Sequence, residues 1–315
     1  MLALSAAPGR LRSYPWVLSF VGSVCAFIAI EIVSHHFSFQ NLTVNLGLAG
    51  FLAVAGLGQM FAITGGGGGI DLSVPEVLTL AAMVSTAITH GHVGLTFTGA
   101  VAALGVGVVA GAANGSLVVL LRLPPIVATL ASGFVMESLI QIYYAKAEAG
   151  APSQSLEQFA HGHFLGLPVM LWVALAGTVI VGGILQRSVF GRRLEAVGQN
   201  EQAAALVPIR VWRIRFASYV LSGLMAALTG LLLAAYAGGA FLDMGTSYQL
   251  GSIAAVVLGG SLIAGGRSTA VGVFGGAVLL TFLVTLMGVS GFTAGLQDVL
   301  EGLIIVLVIS IRRTQ

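Results

Sequence analysis

Charge is the scarcest property of this sequence. Only 8% of its 315 residues are Asp, Glu, Lys or Arg, whereas 57% are hydrophobic. A water-soluble domain has about 25% charged residues, so these apolar side chains cannot all lie in one soluble core. The net charge of +2 gives no reason to expect a nucleic-acid partner. The composition therefore predicts an integral membrane protein.

Cysteine and the motifs of nucleotide or metal chemistry are also scarce. Cys25 is the single cysteine, which excludes an internal disulfide and favours packing as a small apolar residue. No segment reads G-x-x-x-x-G-K-[ST], and Lys146 is the only lysine, so the chain cannot be its own P-loop ATPase. No apolar run contains H-E-x-x-H or a nucleophile and base pair, which argues against an enzyme.

Long apolar runs are abundant. A membrane-spanning helix needs about 20 apolar residues, and ten runs qualify: 14–34, 44–64, 72–89, 93–121, 126–145, 167–186, 214–236, 249–264, 270–289 and 295–311. The third and eighth runs are short and flanked by glycine, so eight spans with two re-entrant segments is the alternative. We predict an all-α polytopic membrane protein of about ten transmembrane helices, some broken by glycine into half-helices, in one domain over residues 1–315.

The positive charges are distributed asymmetrically between the predicted loops. Cytoplasmic loops retain Arg and Lys. If the N-terminus is inside, all the arginines fall on the cytoplasmic side, and Lys146 alone lies outside. This asymmetry predicts that both termini are cytoplasmic, because removing one span would invert every later loop.

Two predicted loops are long enough to bear on function. The outside loop 146–166 is too short to form a ligand-binding domain, so a capture protein would be a separate chain. The inside loop 187–213 is rich in arginine, and Asn200 can cap a short helix that Pro208 prevents from extending. Such a helix can move as a rigid body and transmit a displacement to the helices beside it. The alternative is an ordinary connecting helix on anionic lipid head groups.

Four segments resemble ABC-importer permeases of the ribose and related monosaccharide family. The coupling segment of that family, G-R-x-x-x-A-x-G-x-N-x-x-A-A, is similar to the segment that starts at Gly191. The residues that resemble the coupling segment of the family are Gly191, Arg192, Glu195, Ala196, Gly198, Asn200, Glu201, Ala203 and Ala204. The others are "TGGGGGIDLSV" (64–74), "LPPIVATLA" (123–131) and "AAVVLGGSLIAGG" (254–266).

This resemblance implies the membrane-spanning permease subunit of a binding-protein-dependent importer in a bacterial inner membrane. Two permease chains, identical or related, would line the pathway. Separate cytoplasmic ATPase subunits would bind ATP and Mg and push the coupling segment, so this chain needs no cofactor. A periplasmic binding protein would deliver the solute. The substrate would be a monosaccharide or sugar-like molecule, or instead a nucleoside, a polyol, a furanosyl signal or a branched-chain amino acid.

The five glycines at 65–69 are followed closely by Asp71 in an apolar part of the chain, where neither a loose backbone nor a carboxylate is expected. Non-helical backbone is tolerated at membrane depth only where it is buried in protein or faces water. We expect the tract to interrupt the second span and to lead to a half-helix that starts near Asp71 or Ser73. Either side chain can cap that helix, and Pro75 fits its first turn. Asp71 is therefore a cap or a ligand contact.

Polar residues inside the predicted spans are candidates for the transport pathway, since they are costly in lipid. The pathway candidates are Asp71, Ser73, Asn114, Glu137, Gln141, Asp298 and Glu301. Hydrogen bonding between helices is the alternative role for each. The series Gly107, Gly111, Gly115 predicts a ridge for close helix packing.

All six histidines fall in predicted outside loops: His35, His36, His90, His92, His161 and His163. Such pairs can bind zinc or copper, or respond to acid, but no cysteine or clustered carboxylates join them. We therefore interpret them as loop composition and predict no metal site.

An ion-coupled secondary carrier is the alternative from another class, with Asp71, Glu137 or Glu301 as the coupling carboxylate. The coupling segment argues against it. In the importer, closure of the ATPases should move residues 191–207 and act through the seventh span.

Overall fold

The computed structural model describes residues 16–35, 38–144 and 150–313. The positions of Arg10, Arg12, His36 and Lys146 lie outside the described residues. The regular structure of the described chain is helical apart from one small hairpin, and it includes one 3₁₀ turn. This confirms the predicted all-α class.

Thirteen α-helices follow one another along the described residues. They are α1 (Val17–Ser34), α2 (Phe39–Thr64), α3 (Val74–Thr89), α4 (Thr96–Val119), α5 (Pro125–Tyr144), α6 (Gln154–Ala160), α7 (Val169–Arg187), α8 (Val189–Gln199), α9 (Glu201–Ala205), α10 (Val211–Ala237), α11 (Thr246–Leu258), α12 (Ala270–Val289) and α13 (Ala294–Arg313). The 3₁₀ turn is Val93–Leu95, and the hairpin pairs β1 (His163–Phe164) with β2 (Leu167–Pro168) so that Phe164 faces Leu167.

Each of the ten predicted spans corresponds to a helix. Seven are long and apolar enough to cross a membrane: α1, α2, α4 with its preceding 3₁₀ turn, α5, α7, α10 and α12. Helix α13 also has 20 residues but carries Asp298 and Glu301. Helices α3 and α11 are short and apolar, which matches the two runs that the sequence marked as doubtful.

The alternating direction of the helices gives the bundle two ends. The arginine end holds residues 65–70, 120–124, 187–210 and 259–269. The histidine end holds residues 90–95 and 150–168, together with the end of α10.

Helices α3 and α11 are half-helices. At about 1.5 Å per residue, the 16 residues of α3 and the 13 of α11 reach about 24 and 20 Å, short of the roughly 30 Å of a hydrocarbon core. Asp71, just before α3, bonds to Ser222 in the interior of α10, so α3 starts inside the bundle. Gly245, just before α11, donates its amide to Thr79 of α3. The two half-helices therefore begin beside each other within the bundle.

The sequence-based account of the glycine tract is right about the half-helix and wrong about α2. Helix α2 is continuous for 26 residues and ends at Thr64, so the tract follows a full-length helix at the arginine end. From there the chain turns back into the bundle. The predicted eighth span also ends early: α11 stops at Leu258, because Gly260, Gly265 and Gly266 take positive φ angles of 96°, 95° and 78°.

Small residues set the packing of the central helices. Helix α4 lies against α10 along Gly107, Gly111 and Gly115. A Cβ on Gly107 would collide with the carbonyl oxygen of Gly223, and one on Gly111 with that of Tyr219. The predicted close-packing ridge is therefore confirmed, and it brings α10 and α4 to either side of the start of α3.

Candidate functional site

The coupling segment forms two short helices at the arginine end. The Ser188 hydroxyl accepts a hydrogen bond from the Gly191 amide (3.0 Å) and starts α8. The side-chain oxygen of Asn200 accepts one from the Ala203 amide (2.9 Å) and starts α9. The predicted Asn200 cap is thus confirmed. Leu194 and Val197 of α8 are buried in the core of the protein with Phe61 and Leu185. Helix α8 is therefore anchored to the membrane-spanning helices.

The outer surface of this segment has a different character. Leu206, just after α9, is 88% exposed, and Val207 is 51% exposed. Arg192 is exposed and donates to the Arg187 carbonyl oxygen, whereas Gly191 and Ala204 are buried. Ala196 is half-buried, and Ala203 is exposed. The segment therefore presents an apolar tip away from the bundle.

One salt bridge holds the segment in place. Glu201 forms a salt bridge with Arg215 at the start of α10, at 2.7 Å. Glu195 of α8 interacts electrostatically with Arg267. Partial burial raises the pKa of the Glu195 carboxyl, and the Arg267 charge opposes that rise.

The glycine tract is the surface on which the coupling segment rests. We call the contact the glycine junction: residues 65–69, Gly198, and the pair Gly265 and Gly266. A Cβ on Gly66 would lie 2.7 Å from the Gly198 Cα, and one on Gly198 would collide with the Thr64 carbonyl oxygen. No side chain therefore separates the coupling segment from the end of α2.

Hydrogen bonds also join the segment that contains Gly265 and Gly266 to this junction. The Gly266 amide donates to the Thr64 carbonyl oxygen at 2.9 Å, and the Gln199 side chain donates to the Gly266 carbonyl oxygen at 3.1 Å. Gly66, Gly67 and Gly68 have φ between 65° and 74°, which glycine adopts at no steric cost. The unusual run of glycines is thus explained by backbone packing and by backbone conformation.

The Asp71 carboxylate lies a short distance beyond the junction and is 2% exposed. One of its oxygens accepts from the amide and hydroxyl of Ser73 (3.1 and 2.7 Å), and the other from the hydroxyl of Ser222 (2.7 Å). Ser73 makes no side-chain bond to the amides of α3, so the predicted capping by Ser73 is not realised. Asp71 instead accepts the hydrogen bond of the Ser73 amide, and Ser73 immediately precedes α3.

This polar network extends to two more helices. Asn114 of α4 donates to the Ser73 hydroxyl at 2.7 Å and accepts a short hydrogen bond from Ser132 of α5. The side-chain amide of Gln59 in α2 pairs with the backbone of Asp71. Its nitrogen donates to the Asp71 carbonyl oxygen at 3.1 Å, and its oxygen accepts from the Asp71 amide at 3.2 Å. The Asp71 network, as we call it, joins α2, α3, α4, α5 and α10 around one buried carboxylate.

A polar cavity of about 150 Å³ opens where the two half-helices begin. Its lining combines carboxyl, amide and hydroxyl groups from α3, α5 and the start of α11: Glu76, Thr79, Glu137, Gln141, Asp243 and Thr246, with Pro75, Ile140 and Leu242 as the apolar part. Glu76 lies in the first turn of α3, and acidic groups are stabilised at helix N-termini. One Glu76 oxygen is buried without a hydrogen-bond partner. The site thus offers hydrogen-bond acceptors to a hydroxyl-bearing solute.

The predicted pathway residues separate into three groups. Glu137 and Gln141 line the cavity and bond to each other at 3.3 Å. Asp71, Ser73 and Asn114 belong to the buried network and do not line the cavity. On α13, Asp298 is exposed, and Glu301 is buried against Gly251 of α11, so neither of them reaches the cavity.

Sequence reasoning missed Glu76 and Asp243. Both stand next to the first residues of a half-helix, and half-helix N-termini are frequent binding positions in transporters. A short, glycine-flanked apolar run with an acidic residue at its N-terminal edge is the signal that would have found them.

The described histidines serve separate local roles at the histidine end. His161 stacks on Tyr236 with ring centroids 4.9 Å apart, and His35 and His90 end α1 and α3 in a left-handed conformation. Within residues 16–35, 38–144 and 150–313, no three His, Cys, Asp or Glu side chains are placed to hold a metal ion.

Comparison with known proteins adds independent information. Residues 41–309 match the family described as branched-chain amino acid transport system / permease component. The chain is 34% identical to the ribose import permease protein RbsC of Bacillus subtilis strain 168, over 93% of this chain and 91% of the relative. It is 30% identical to RbsC of Escherichia coli strain K12, over 95% of both chains.

A third relative is the autoinducer 2 import system permease protein LsrC of Klebsiella pneumoniae, at 32% identity over 91% of this chain and 83% of that protein. No solved structure matches the chain. The family match covers most of the sequence, including the coupling segment, the glycine junction and the cavity. This chain therefore belongs to the permease family of the branched-chain amino acid transport system type, as a multi-pass membrane subunit of an ABC transporter.

Proposed function

We propose that this chain is the permease subunit of a binding-protein-dependent ABC importer for a monosaccharide or sugar-like solute. The observation that carries the proposal is the glycine junction, which joins the coupling segment directly to the backbone leading into the Asp71 network and the half-helix α3. A push on α8 and α9 would therefore move residues 65–73 without passing through side chains. This route is more direct than the one through α10 that the sequence alone implied.

The partners follow from the surfaces at the two ends. The apolar tip at Leu206 and Val207, beside the charged residues of α8 and α9, fits a groove on a cytoplasmic ATPase, which would bind the ATP and Mg. The histidine end would receive the solute from a periplasmic binding protein. We infer from the positive-inside rule that the arginine end and both termini would lie in the cytoplasm, with the chain in a bacterial inner membrane.

The chemistry of the cavity favours a hydroxylated solute over an amino acid. Within the described chain its lining contains three carboxyl groups and neither Arg nor Lys. The carboxylate of an amino acid would meet three acidic groups, whereas sugar hydroxyls would donate hydrogen bonds to them. The names of the relatives agree, since ribose and autoinducer 2 both appear among them.

Reconstitution tests the proposal. The chain would be placed in liposomes with its ATPase and binding protein, and uptake would be measured for pentoses, hexoses, polyols, nucleosides and branched-chain amino acids. We expect uptake of a sugar-like solute that requires ATP and all three proteins. Uptake by this chain alone under a proton or sodium gradient would replace the importer by a secondary carrier.

A further inference from the structure

A second, larger cavity lies at the arginine end, where it borders Gly67 of the glycine junction and Glu201 of the coupling segment. It measures about 700 Å³ and is enclosed by the link between α4 and α5, the end of α9 and the start of α10. Its polar lining consists of Arg122, Arg210, Arg215 and Glu201. Its apolar lining includes Val118, Val119, Leu123, Pro124, Ile209 and Trp212.

The charges of this cavity are unbalanced. Arg215 is paired with Glu201, which is the one salt bridge among the described residues, and the Arg215 Nε is buried without a hydrogen-bond partner. Arg122 and Arg210 are exposed and form no salt bridge with any residue that the structure describes. Two guanidinium groups therefore line the cavity without an anionic partner.

The backbone at Arg122 is unusual as well. Its φ of 54° lies in the left-handed region, which is unfavourable for a residue with a Cβ. Such strain persists only where the surrounding structure fixes it, and it is enriched at binding positions. Here it occurs at the turn that places Arg122 in the wall of the cavity.

The apolar part of the wall continues onto the outer surface of the bundle. Leu120 and Leu121, beside Arg122, are 70% and 64% exposed, and Trp212 is 50% exposed. Leucines at the end of a spanning helix contact acyl chains, and tryptophan is enriched at the membrane interface. The cavity thus combines guanidinium groups with an apolar path toward lipid.

We propose that this cavity binds a phosphate group, carried by an anionic phospholipid of the adjacent leaflet. Guanidinium groups bind phosphate oxygens in pairs through their forked donors, and basic pockets between transmembrane helices on the cytoplasmic side bind anionic head groups. A soluble phosphate ester has the same head-group chemistry, but it leaves the apolar walls unfilled. The bound phosphate would lie beside Arg215 and compete with Glu201 for its guanidinium.

Native mass spectrometry of the purified full-length chain in detergent tests this proposal. The probes are phosphatidylglycerol, phosphatidylcholine and soluble glycerol phosphate. The test variant carries Arg122→Gln and Arg210→Gln. The matched control carries Arg187→Gln and Arg193→Gln, which removes two exposed arginines of the same end that do not line the cavity. Thermal melting of both variants verifies that they are folded.

We expect the wild type and the control to retain phosphatidylglycerol and not phosphatidylcholine, with retention reduced about tenfold in the Arg122 and Arg210 variant. An Arg122→Lys, Arg210→Lys variant should show an intermediate loss, because lysine keeps the charge without the fork. Binding of glycerol phosphate alone, lost in the same variant, would support the phosphate site with a soluble source. Equal retention in test and control variants, or binding of neither phosphate, would overturn the proposal.

Discussion

Single glycines decide how the coupling segment of this permease meets its membrane helices. At Gly66 and Gly198 the two backbones are in contact, and a side chain on either would force them apart. Inserting a methyl group into packing of this kind costs about 1–3 kcal/mol. The junction is therefore rigid because it lacks side chains.

Gly66→Ala and Gly198→Ala should each reduce ATP-dependent uptake about tenfold or more. The added methyl group would push the two backbones apart at a cost of about 1–3 kcal/mol, so the junction would no longer transmit the same displacement. The measurement is uptake per ATP hydrolysed in proteoliposomes. Gly68→Ala has a comparable positive φ of 74° but meets no atom within 4 Å, and Gly183→Ala in α7 meets none either. Both controls should retain coupling. A loss at Gly68 equal to that at Gly66 would assign the effect to backbone conformation and not to the contact.

The carboxyl groups of the polar cavity give a second prediction at this scale. Glu137→Gln and Asp243→Asn should each raise the KM for solute about tenfold or more, because a hydrogen bond to a charged group contributes about 1.5–3 kcal/mol. Concentration-dependent uptake measures this. Asp298→Asn is the control, since that side chain is exposed on α13 and outside the cavity. An unchanged KM in both cavity variants would remove the cavity from the solute pathway.

At the scale of elements, half-helices and short helices carry the functional groups, and full-length helices support them. Helices α3 and α11 begin beside each other and expose their N-terminal turns to the polar cavity. Helix α8 lies across the end of α2 and is held there by the buried side chains of Leu194 and Val197.

The attachment of α8 should depend on pH through Glu195. Burial raises the pKa of this carboxyl above its ordinary value. The folded contact therefore favours the protonated form, and its stabilisation is complete below the ordinary pKa and is lost as pH rises through the raised pKa. Hydrogen exchange of residues 189–199, corrected for intrinsic rates, should show more protection below the ordinary carboxyl pKa of 4.5 than at neutral and higher pH.

Glu195→Gln serves as the control for this pH effect. It removes the titrating group, so the protection of α8 should become independent of pH over the same range. A pH dependence that persists in this variant would contradict the assignment to Glu195.

At the scale of the whole molecule, one helix presents a polar face where a membrane protein would normally present an apolar one. Glu137, Ser138 and Gln141 of α5 are all exposed, and exposure of such groups to lipid is costly. This face also borders the polar cavity. It therefore fits a water-filled pathway shared with a second permease chain.

Ser138→Cys in a Cys25→Ser background should form a covalent dimer under mild oxidation, because the α5 faces of two chains would lie opposite each other. Gel electrophoresis of the protein in native membranes measures this. Val179→Cys on α7, which is 73% exposed, is the control for random collision and should remain monomeric. Cross-linking at 179 and not at 138 would place the pathway on another face.

The sequence by itself determined the helices, because apolar length, loop charge and capping by Asn200 are local properties of a chain in lipid. It also identified the family, since four motifs occur in order. It located Glu137 and Gln141 but not Glu76 or Asp243, which join them only when two half-helices meet. Only the tertiary structure decided that the glycine tract rests on Gly198 and that Asp71 is held by Ser222. These contacts join segments far apart in the chain, and no local pattern of polarity or turn residues encodes which backbones pack together.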